Sequence, residues 1–356
     1  MHAEDFLQAP FPLLDIRSPS EYCQGHIPGA ISFPLFSDLE RSEVGTLYKK
    51  EGKDSAVKMG LHFIGPRLHS MIEQAEKLLP DSCKAFRIYC WRGGMRSQSV
   101  AWLLQTAGFD CQLLQGGYKS FRRWALTQFE KSYHFCVLGG FTGSGKTELL
   151  HQLKEEGEQV IDLEALARHR GSCYGHLGWP GQPSTEYFEN LLACHISGLN
   201  PDYPIWIEDE SRQIGSCHIP QGLWKQMQQA PFAWLESPRQ ERIKRLLHIY
   251  GSHPHEKIVE ATQKLSKKLG LVRTKEIVDL IRNQKLECAI SAILEHYDAS
   301  YDYSCHKQKR KPLSFDHTDQ VLNQLKAFSK GMTQTRLVVF PFQNIHTMIS
   351  EHAYLY

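Results

Sequence analysis

Residues 134–157 read HFCVLGGFTGSGKTELLHQLKEEG, in which an apolar run, a glycine-rich loop and a helix-forming segment follow one another. The loop fits the pattern G-x-x-x-x-G-K-[ST], and its flanks predict the preceding strand and the following helix that this pattern requires. In such a loop the backbone N–H groups cradle a phosphate chain, Lys146 supplies a positive charge and Thr147 is suited to hold Mg²⁺. The predicted phosphate-binding residues are Gly140, Gly143, Ser144, Gly145, Lys146 and Thr147. The pattern leaves open whether the phosphate belongs to ATP or to another diphosphate.

Short apolar runs after this loop end in acidic residues. PIWIEDES ends in Glu208 and Asp209, which are candidates for a Walker B-like role, with a plain charge at a strand end as the alternative. QVIDLE places Asp162 and Glu164 at a similar strand end. These runs alternate with helical patterns, which predicts a parallel α/β sheet.

A second glycine-rich loop lies about fifty residues earlier, in YCWRGGMRSQS (Tyr89–Ser99). The run AFRIYC predicts a buried strand that ends at Cys90, and the next helix is expected to begin near Ser97. A tight connection needs residues that tolerate positive φ, and Gly93 and Gly94 do. Inward-pointing backbone N–H groups, together with Met95 and the following helix N-terminus, would form a nest for an anion.

Arg92 and Arg96 add positive charge to this loop, which favours the thiolate form of Cys90. Comparable settings lower the pKa of a cysteine from about 8.5 into a range of roughly 3.5–7.5. The other cysteines lack such surroundings and are predicted to be packing or surface residues. Cys90, Arg92 and Arg96 are therefore the predicted catalytic residues.

The length and composition of the chain indicate its number of domains and its location. The chain has 356 residues, 41% hydrophobic and 22% charged, which suits two globular domains. The N-terminus lacks an apolar signal segment and no apolar run reaches the roughly 18 residues of a membrane span, so we expect a cytoplasmic protein with reduced thiols. We expect a first domain over 1–131, a second over 132–330 with a largely helical C-terminal part, and an unassigned tail over 331–356. We also expect a monomer.

A net charge of only +2 means that contact with nucleic acid would need a local basic patch. The densest basic stretch is KLSKKLGLVRTK, for which a solvated charge run is the alternative. Its candidates for tRNA contact are Lys264, Lys267, Lys268, Arg273 and Lys275. A predicted helix also carries arginines at three-residue spacing, which suits a phosphate lid, an RNA contact or a solvated face. These are Arg239, Arg242 and Arg245.

The first half of the chain resembles a rhodanese domain. LLDIRSPSEYCQGHIPGAISFPL resembles the opening of such domains, and LLQGGYKSFRRW resembles their closing segment. The matching residues of the opening are Asp15, Arg17, Glu21, Tyr22, Gly25, His26, Ile27, Gly29 and Ala30. The resemblance implies a sulfur-carrying role for Cys90. One departure is that Arg96 follows Cys90 by six positions rather than five, a spacing shared with cysteine phosphatases, although Tyr89 stands where those have histidine.

The combination of both halves resembles the tRNA 2-selenouridine synthase family over roughly residues 10–330. The most specific marks are CWRGGMRSQS, GGFTGSGKTELL, DLEALARHRGSCYG and EDESRQIG. The fold that the resemblance implies is an N-terminal rhodanese-like parallel sheet followed by a P-loop NTPase-like α/β domain. The substrate that it implies is tRNA with 2-thiouridine at the wobble position.

The resemblance implies S-geranylation from geranyl diphosphate, then selenation from selenophosphate through selenium bound to Cys90. The enzyme that produces selenophosphate is then a candidate partner. The P-loop would bind a diphosphate, with that of the prenyl donor as the candidate, while ATP remains open. Two other functions also remain open: a rhodanese-type sulfurtransferase coupled to a small-molecule kinase, and a C-x5-R phosphatase fused to an NTP-binding module.

Overall fold

The computed structural model describes residues 1–79, 84–308, 313–318 and 320–331. They form two compact units. Met1–Gln128 and Glu186–Cys194 make up the first, and Phe129–Thr185 with the described residues from His195 onward make up the second. The predicted boundary at residue 131 stays a prediction, and nearly all of the 331–356 tail lies outside the described residues.

The first unit alternates short strands with helices. Its elements are α1 (Ala3–Gln8), β1 (Leu13–Asp15), α2 (Pro19–Gln24), β2 (Ala30–Ser32), α3 (Asp38–Glu51), α4 (Lys53–Ile64), a 3₁₀ turn (Gly65–Arg67), α5 (Leu68–Lys77), β3 (Ala85–Tyr89), α6 (Met95–Thr106), β4 (Asp110–Leu113) and α7 (Gly117–Gln128). Glu186–Cys194 come from α10, whose bounds are given below.

The strands of this unit form a parallel sheet in the order β2-β1-β3-β4. Leu13 in β1 pairs with Ala30 in β2 and with Arg87 in β3. Strand β3 is buried along its whole length, as expected for a central strand of a parallel sheet that is covered on both faces. Because Cys90 directly follows β3, this central strand fixes the position of the cysteine loop.

The second unit contains the phosphate loop and the helical C-terminal part. Its elements are β5 (Phe135–Gly140), α8 (Lys146–Glu155), β6 (Gln159–Ile161), α9 (Leu163–Ala167), α10 (Thr185–Ser197), β7 (Ile205–Glu208), β8 (Gln213–Ile214), β9 (Cys217–His218), α11 (Gln221–Gln229), β10 (Phe232–Glu236), α12 (Arg239–Tyr250), α13 (His255–Lys264), α14 (Ser266–Leu269), α15 (Leu271–Arg282), α16 (Leu286–Gln308), β11 (Leu313–Asp316) and α17 (Val321–Lys330).

Its main sheet is parallel, in the order β11-β10-β5-β7-β6, and β8 and β9 form a separate antiparallel pair. Strand β5 lies at the centre and is buried throughout. Since the carboxyl ends of parallel strands meet at one edge of a sheet, the segments after β5, β6 and β7 gather there. This arrangement brings acidic residues from distant parts of the sequence to the phosphate loop.

The predicted α/β class, with parallel sheets and a helical C-terminal part, is confirmed. Two details differ. Helix α6 begins at Met95 rather than near Ser97, and β11 interrupts the region predicted as mostly helical. Strand β11 is largely exposed and alternates apolar with polar residues, so it lacks the apolar run that marks β7 and β10. Within the described residues, no helix combines the length and the apolar character needed to cross a membrane.

Candidate functional site

Cys90 lies at the carboxyl end of β3 and is 3% exposed. Its Sγ is 3.2 Å from the hydroxyl oxygen of Ser97, in the first turns of α6. Burial by itself would raise the pKa of the Cys90 thiol. The hydroxyl and amide of Ser97, the amide of Arg92 and the positive charge of Arg96 outweigh it, so the pKa lies below its ordinary value. The loop therefore favours a thiolate.

The two arginines of this loop occupy different environments. Arg96 is half-buried and its guanidinium donates to Glu21 Oε2 at 3.2 Å, so its charge is held beside the loop. The side chain of Arg92 is exposed, and only its backbone amide contributes to the lowered pKa of Cys90. Met95, which was predicted to belong to the anion loop, is the first residue of α6 and is 45% exposed.

Glycines from two segments shape the cysteine loop. Gly93 has a φ of +65°, as expected, but Gly94 has a φ of −97°, so the expectation of a positive φ there is wrong. Gly94 instead takes an extended conformation because it is the N-cap of α6. The second left-handed glycine against this loop is Gly117, with a φ of +59°. A Cβ at Gly117 would overlap the carbonyl oxygen of Cys90.

This contact with Gly117 was missed by sequence reasoning, although the adjacent glycines of LLQGGY were a visible signal. The backbone continues the contact, since the amide of Tyr118 donates to the carbonyl oxygen of Cys90 at 2.8 Å. The start of α7 therefore closes one side of the cysteine loop.

Tyr89 has a structural role beneath the loop. Its hydroxyl donates to Asp15 Oδ2 at 2.7 Å and accepts from the amide of Ile27 at 3.1 Å. Asp15 also pairs with Arg17 at 2.6 Å, and both side chains are buried. Burial raises the pKa of Tyr89 well above its usual range. Tyr89, which stands where cysteine phosphatases have histidine, is thus part of a buried hydrogen-bond network.

The phosphate loop connects β5 to α8. Gly145 takes a left-handed conformation as the N-cap of α8. The ammonium of Lys146 donates to the carbonyl oxygen of Gly140 at 2.8 Å, and the hydroxyl of Ser144 is buried and has no hydrogen-bond partner in the described part of the chain. Gly143, Ser144, Gly145, Lys146 and Thr147 line a cavity of about 560 Å³. Five of the six predicted phosphate-binding residues therefore line one cavity, whereas Gly140 does not line it and contacts Lys146 through its carbonyl oxygen.

Two of the predicted acids contact Thr147. Its hydroxyl donates to Glu208 Oε1 at 2.9 Å and lies 3.3 Å from Glu164 Oε2. Glu208 is buried, and its Oε2 has no partner among the described residues. Asp209 lines the cavity. Asp162 instead caps α9, accepting from the amide of Ala165 at 2.8 Å.

Glu210 completes this acidic group and was not among the predicted residues. Burial, followed by the charge of Glu208, raises the pKa of Glu210 to about 8. Burial and the charge of Glu210 likewise raise the pKa of Glu164 to about 8. Glu208 has a pKa well above its usual range, with burial as the first cause and the charge of Glu164 as the second. Within the described ranges, no group of three His, Cys, Asp or Glu side chains is arranged to hold a metal by itself.

The arginines of α12 do not share one role. Arg242 is buried and pairs with Asp298 at 2.8 Å, and Arg239 pairs with Glu295 at 3.1 Å. Of the three, Arg245 reaches the phosphate loop, donating to the carbonyl oxygen of Gly143 at 3.2 Å. Its guanidinium also lies 3.2 Å from His317 Nε2, a neighbour that no sequence pattern indicated.

The basic stretch lies across α13, α14 and α15. Its predicted tRNA-contact residues Lys264, Lys267, Lys268, Arg273 and Lys275 are all exposed. Arg273 pairs with Glu295 at 2.8 Å. Leu271 and Val272, which precede Arg273 in the sequence, are 80% and 76% exposed. Exposed apolar side chains therefore lie next to the basic ones.

Comparisons with known proteins cover both units. The family described as "Rhodanese-like domain" matches residues 2–123, and the one described as "tRNA 2-selenouridine synthase AAA domain" matches residues 133–331. The chain is similar to a tRNA 2-selenouridine synthase of Pseudomonas syringae pv. syringae (strain B728a), with 35% identity over 90% of this chain and 95% of that protein. A protein of the same name from Salmonella agona (strain SL483) is 34% identical over 91% of this chain and 98% of its own length. The chain therefore belongs to the tRNA 2-selenouridine synthase family.

Proposed function

We propose that this protein is an enzyme that converts 2-thiouridine at the wobble position of tRNA into 2-selenouridine. The observation that carries the proposal is the match to relatives of that name over nine-tenths of the chain. The two loops support it, because each is built to stabilise an anion. The match favours this function over a kinase-coupled sulfurtransferase and over a phosphatase with an NTP-binding module.

In the first step, the thiocarbonyl sulfur of 2-thiouridine attacks the first carbon of geranyl diphosphate. A carbon–sulfur bond forms, the carbon–oxygen bond breaks, and diphosphate leaves with the electron pair. The phosphate loop would hold this diphosphate, with Lys146 neutralising the charge that develops on it. Thr147 and Glu208 are the residues that would hold Mg²⁺, which would add positive charge beside the leaving group.

In the second step, selenium from selenophosphate replaces sulfur at the same carbon. A carbon–selenium bond forms, the carbon–sulfur bond breaks and geranyl thiolate leaves, after which water releases phosphorus as phosphate. Alkylation in the first step makes this exchange possible because a thiolate leaves more readily than a sulfide dianion. We assign the Cys90 loop to this step, as the site that holds the selenium donor, with the amides and Arg96 stabilising negative charge.

The exposed basic stretch is our candidate for binding the tRNA backbone. Neutralising Lys267 and Lys268 should weaken tRNA binding at low salt, because fewer phosphates are then paired with a positive side chain. The slope of log affinity against log salt should become shallower by about 0.9 for each phosphate that is no longer neutralised. Binding that keeps both its affinity and its salt slope would exclude this surface.

Nucleoside analysis tests the proposal directly. Protein, tRNA containing 2-thiouridine, geranyl diphosphate and selenophosphate should together yield 2-selenouridine, with S-geranyl-2-thiouridine as the intermediate. Cys90→Ala should accumulate the geranylated intermediate, whereas Cys23→Ala, which changes an exposed thiol of the same unit, should leave the yield unchanged. Normal 2-selenouridine production by Cys90→Ala would exclude the assignment of Cys90. Mass analysis of the protein after selenophosphate treatment would test whether selenium bonds covalently to its sulfur.

A further inference from the structure

The cavity at the phosphate loop is lined by both polar and apolar side chains. Its polar lining includes Lys146 and Thr147 of the loop, together with acidic and basic side chains from other segments. These include Glu164, Arg170, Asp209, Glu210, Arg212 and Arg245. Its apolar wall is formed by large apolar and aromatic side chains from separate helices, namely Trp224, Leu246, Ile249, Tyr250 and Tyr297. A ligand filling this cavity of about 560 Å³ would therefore meet the phosphate loop and also hydrocarbon.

This apolar wall continues into a second, smaller pocket of about 40 Å³. Leu246, Tyr250 and Tyr297 line both spaces, so the two are neighbours. Deeper in, the pocket is lined by Ile258 of α13 and by Ile290, Ile293 and Leu294 of α16, all of them buried. An unfilled gap between packed helices is the simplest alternative, but such a gap need not adjoin a phosphate loop.

The tyrosine hydroxyls around this pocket already have partners. The hydroxyl of Tyr174 lies 2.9 Å from that of Thr262, and the hydroxyl of Tyr297 lies 3.3 Å from Cys173 Sγ. The hydroxyl of Tyr250 interacts with Ser172. The pocket consequently offers few free polar groups to a nucleotide base, whose ring nitrogens and exocyclic groups would give up hydrogen bonds with water on entering it.

We propose that this wall and pocket bind the prenyl chain of a prenyl diphosphate while the phosphate loop binds its diphosphate. The inference rests on the proposed function and assigns the hydrocarbon end of its first co-substrate to named residues. The smaller pocket of about 40 Å³ has room for roughly three water-sized groups, so it takes the chain's terminal methyl groups. The rest of the chain lies along Leu246 and Tyr250 in the larger cavity.

Chain length should therefore govern affinity. Each buried methylene contributes about a fourfold gain in affinity. Geranyl diphosphate should accordingly bind the full chain roughly 100-fold or more tightly than inorganic diphosphate, with dimethylallyl diphosphate between them. Longer prenyl chains should gain little further, because the smaller pocket ends against buried side chains.

Titration calorimetry on the full chain with these three ligands tests the proposal. Ile293→Trp fills the pocket and should weaken geranyl diphosphate binding about tenfold or more while leaving inorganic diphosphate binding unchanged. Ile293→Ala, which removes part of the wall, should lower geranyl affinity about fivefold and serves if the larger side chain prevents folding. Ile281→Ala is the matched control, since Ile281 is buried in the same hydrophobic cluster but lines neither space.

The outcomes separate this inference from the function on which it rests. Equal affinity of the wild type for geranyl and inorganic diphosphate would overturn the chain site while leaving a diphosphate site intact. An equal decrease of geranyl binding in Ile293→Ala and Ile281→Ala would also overturn it. Tight ATP binding without any binding of geranyl diphosphate would instead contradict the proposed first step.

Discussion

Replacing Ser97 with alanine tests whether the cysteine loop activates Cys90 electrostatically. The Ser97 hydroxyl lies 3.2 Å from the sulfur, and after the opposing effect of burial it is the largest influence on the lowered pKa of Cys90. A hydrogen bond to a charged group contributes about 1.5–3 kcal/mol, and one pKa unit corresponds to about 1.4 kcal/mol. Ser97→Ala should therefore destabilise the thiolate by an energy of this order and raise the pKa of Cys90.

The sign follows from the stabilised species. The hydroxyl stabilises the thiolate, so its removal moves the ionisation of Cys90 to higher pH. At neutral pH the thiolate fraction falls, but the remaining thiolate becomes intrinsically more nucleophilic, with a Brønsted coefficient of about 0.4–0.5. The net alkylation rate at neutral pH should consequently fall by about 3–10-fold.

The assay measures iodoacetamide alkylation of Cys90 against pH, by mass spectrometry of the peptide that contains it. The exposed Cys288 provides an internal reference for reagent activity. Ser99→Ala is the matched control, because Ser99 is exposed two positions further along the same helix. An unchanged pKa in Ser97→Ala, or an equal shift in Ser99→Ala, would refute the electrostatic reasoning.

Three other predictions concern separate parts of the molecule. Lys146→Ala should slow formation of S-geranyl-2-thiouridine on the order of 100-fold or more while still converting tRNA that is already geranylated, and an equal decrease of both steps by nucleoside analysis would contradict two independent sites. Glu210, with its pKa raised from 4.5 to about 8, holds a proton that the unfolded chain releases, so ligand-free stability should fall as pH rises through this range. Glu210→Gln should then raise Tm by a few degrees at pH above about 8 and change it little near pH 5. The same Tm difference between variant and wild type at both pH values would contradict this prediction. Gly117→Ala should destabilise the protein well beyond the roughly 1–3 kcal/mol expected for Gly52→Ala, a glycine that also has a positive φ but at which a Cβ would meet nothing within 4 Å. The reason is that a Cβ at Gly117 would overlap the Cys90 backbone, and equal destabilisation of the two variants in denaturant unfolding would argue against this packing.

The sequence by itself was sufficient for features that lie within one short segment. The loop after β5 is recognisable because its glycines, Lys146 and Thr147 are contiguous and their flanks have strand and helix patterns. The loop at Cys90 is recognisable for the same reason, since Ser97 and Arg96 follow the cysteine within two helical turns. Local backbone geometry places such residues together whatever the rest of the chain does.

Local pattern was insufficient where a conformation depends on what packs against the segment. Gly94 adopts an extended conformation as the helix N-cap, and it is Gly117, from a later helix, that takes the left-handed turn against Cys90. Arg92 and Arg96 look equivalent in the sequence. In the structure Arg92 is exposed, whereas Arg96 is half-buried and pairs with the carboxylate of Glu21. Whether a side chain is exposed or buried depends on neighbours that the segment itself does not contain.

The acidic group at Thr147 and the apolar pocket were decided by tertiary structure alone. Glu164 and Glu208 meet at Thr147 because the strand order places β7 next to β5 and β6 next to β7, with the ends of all three at one edge of the sheet. The pocket combines side chains of α12, α13 and α16, each of which has an apolar face that could equally be ordinary core. Hydrophobic periodicity specifies that a face is buried but not which face it meets, since the hydrophobic effect is not directional. Only the packed helices leave a space beside the phosphate loop.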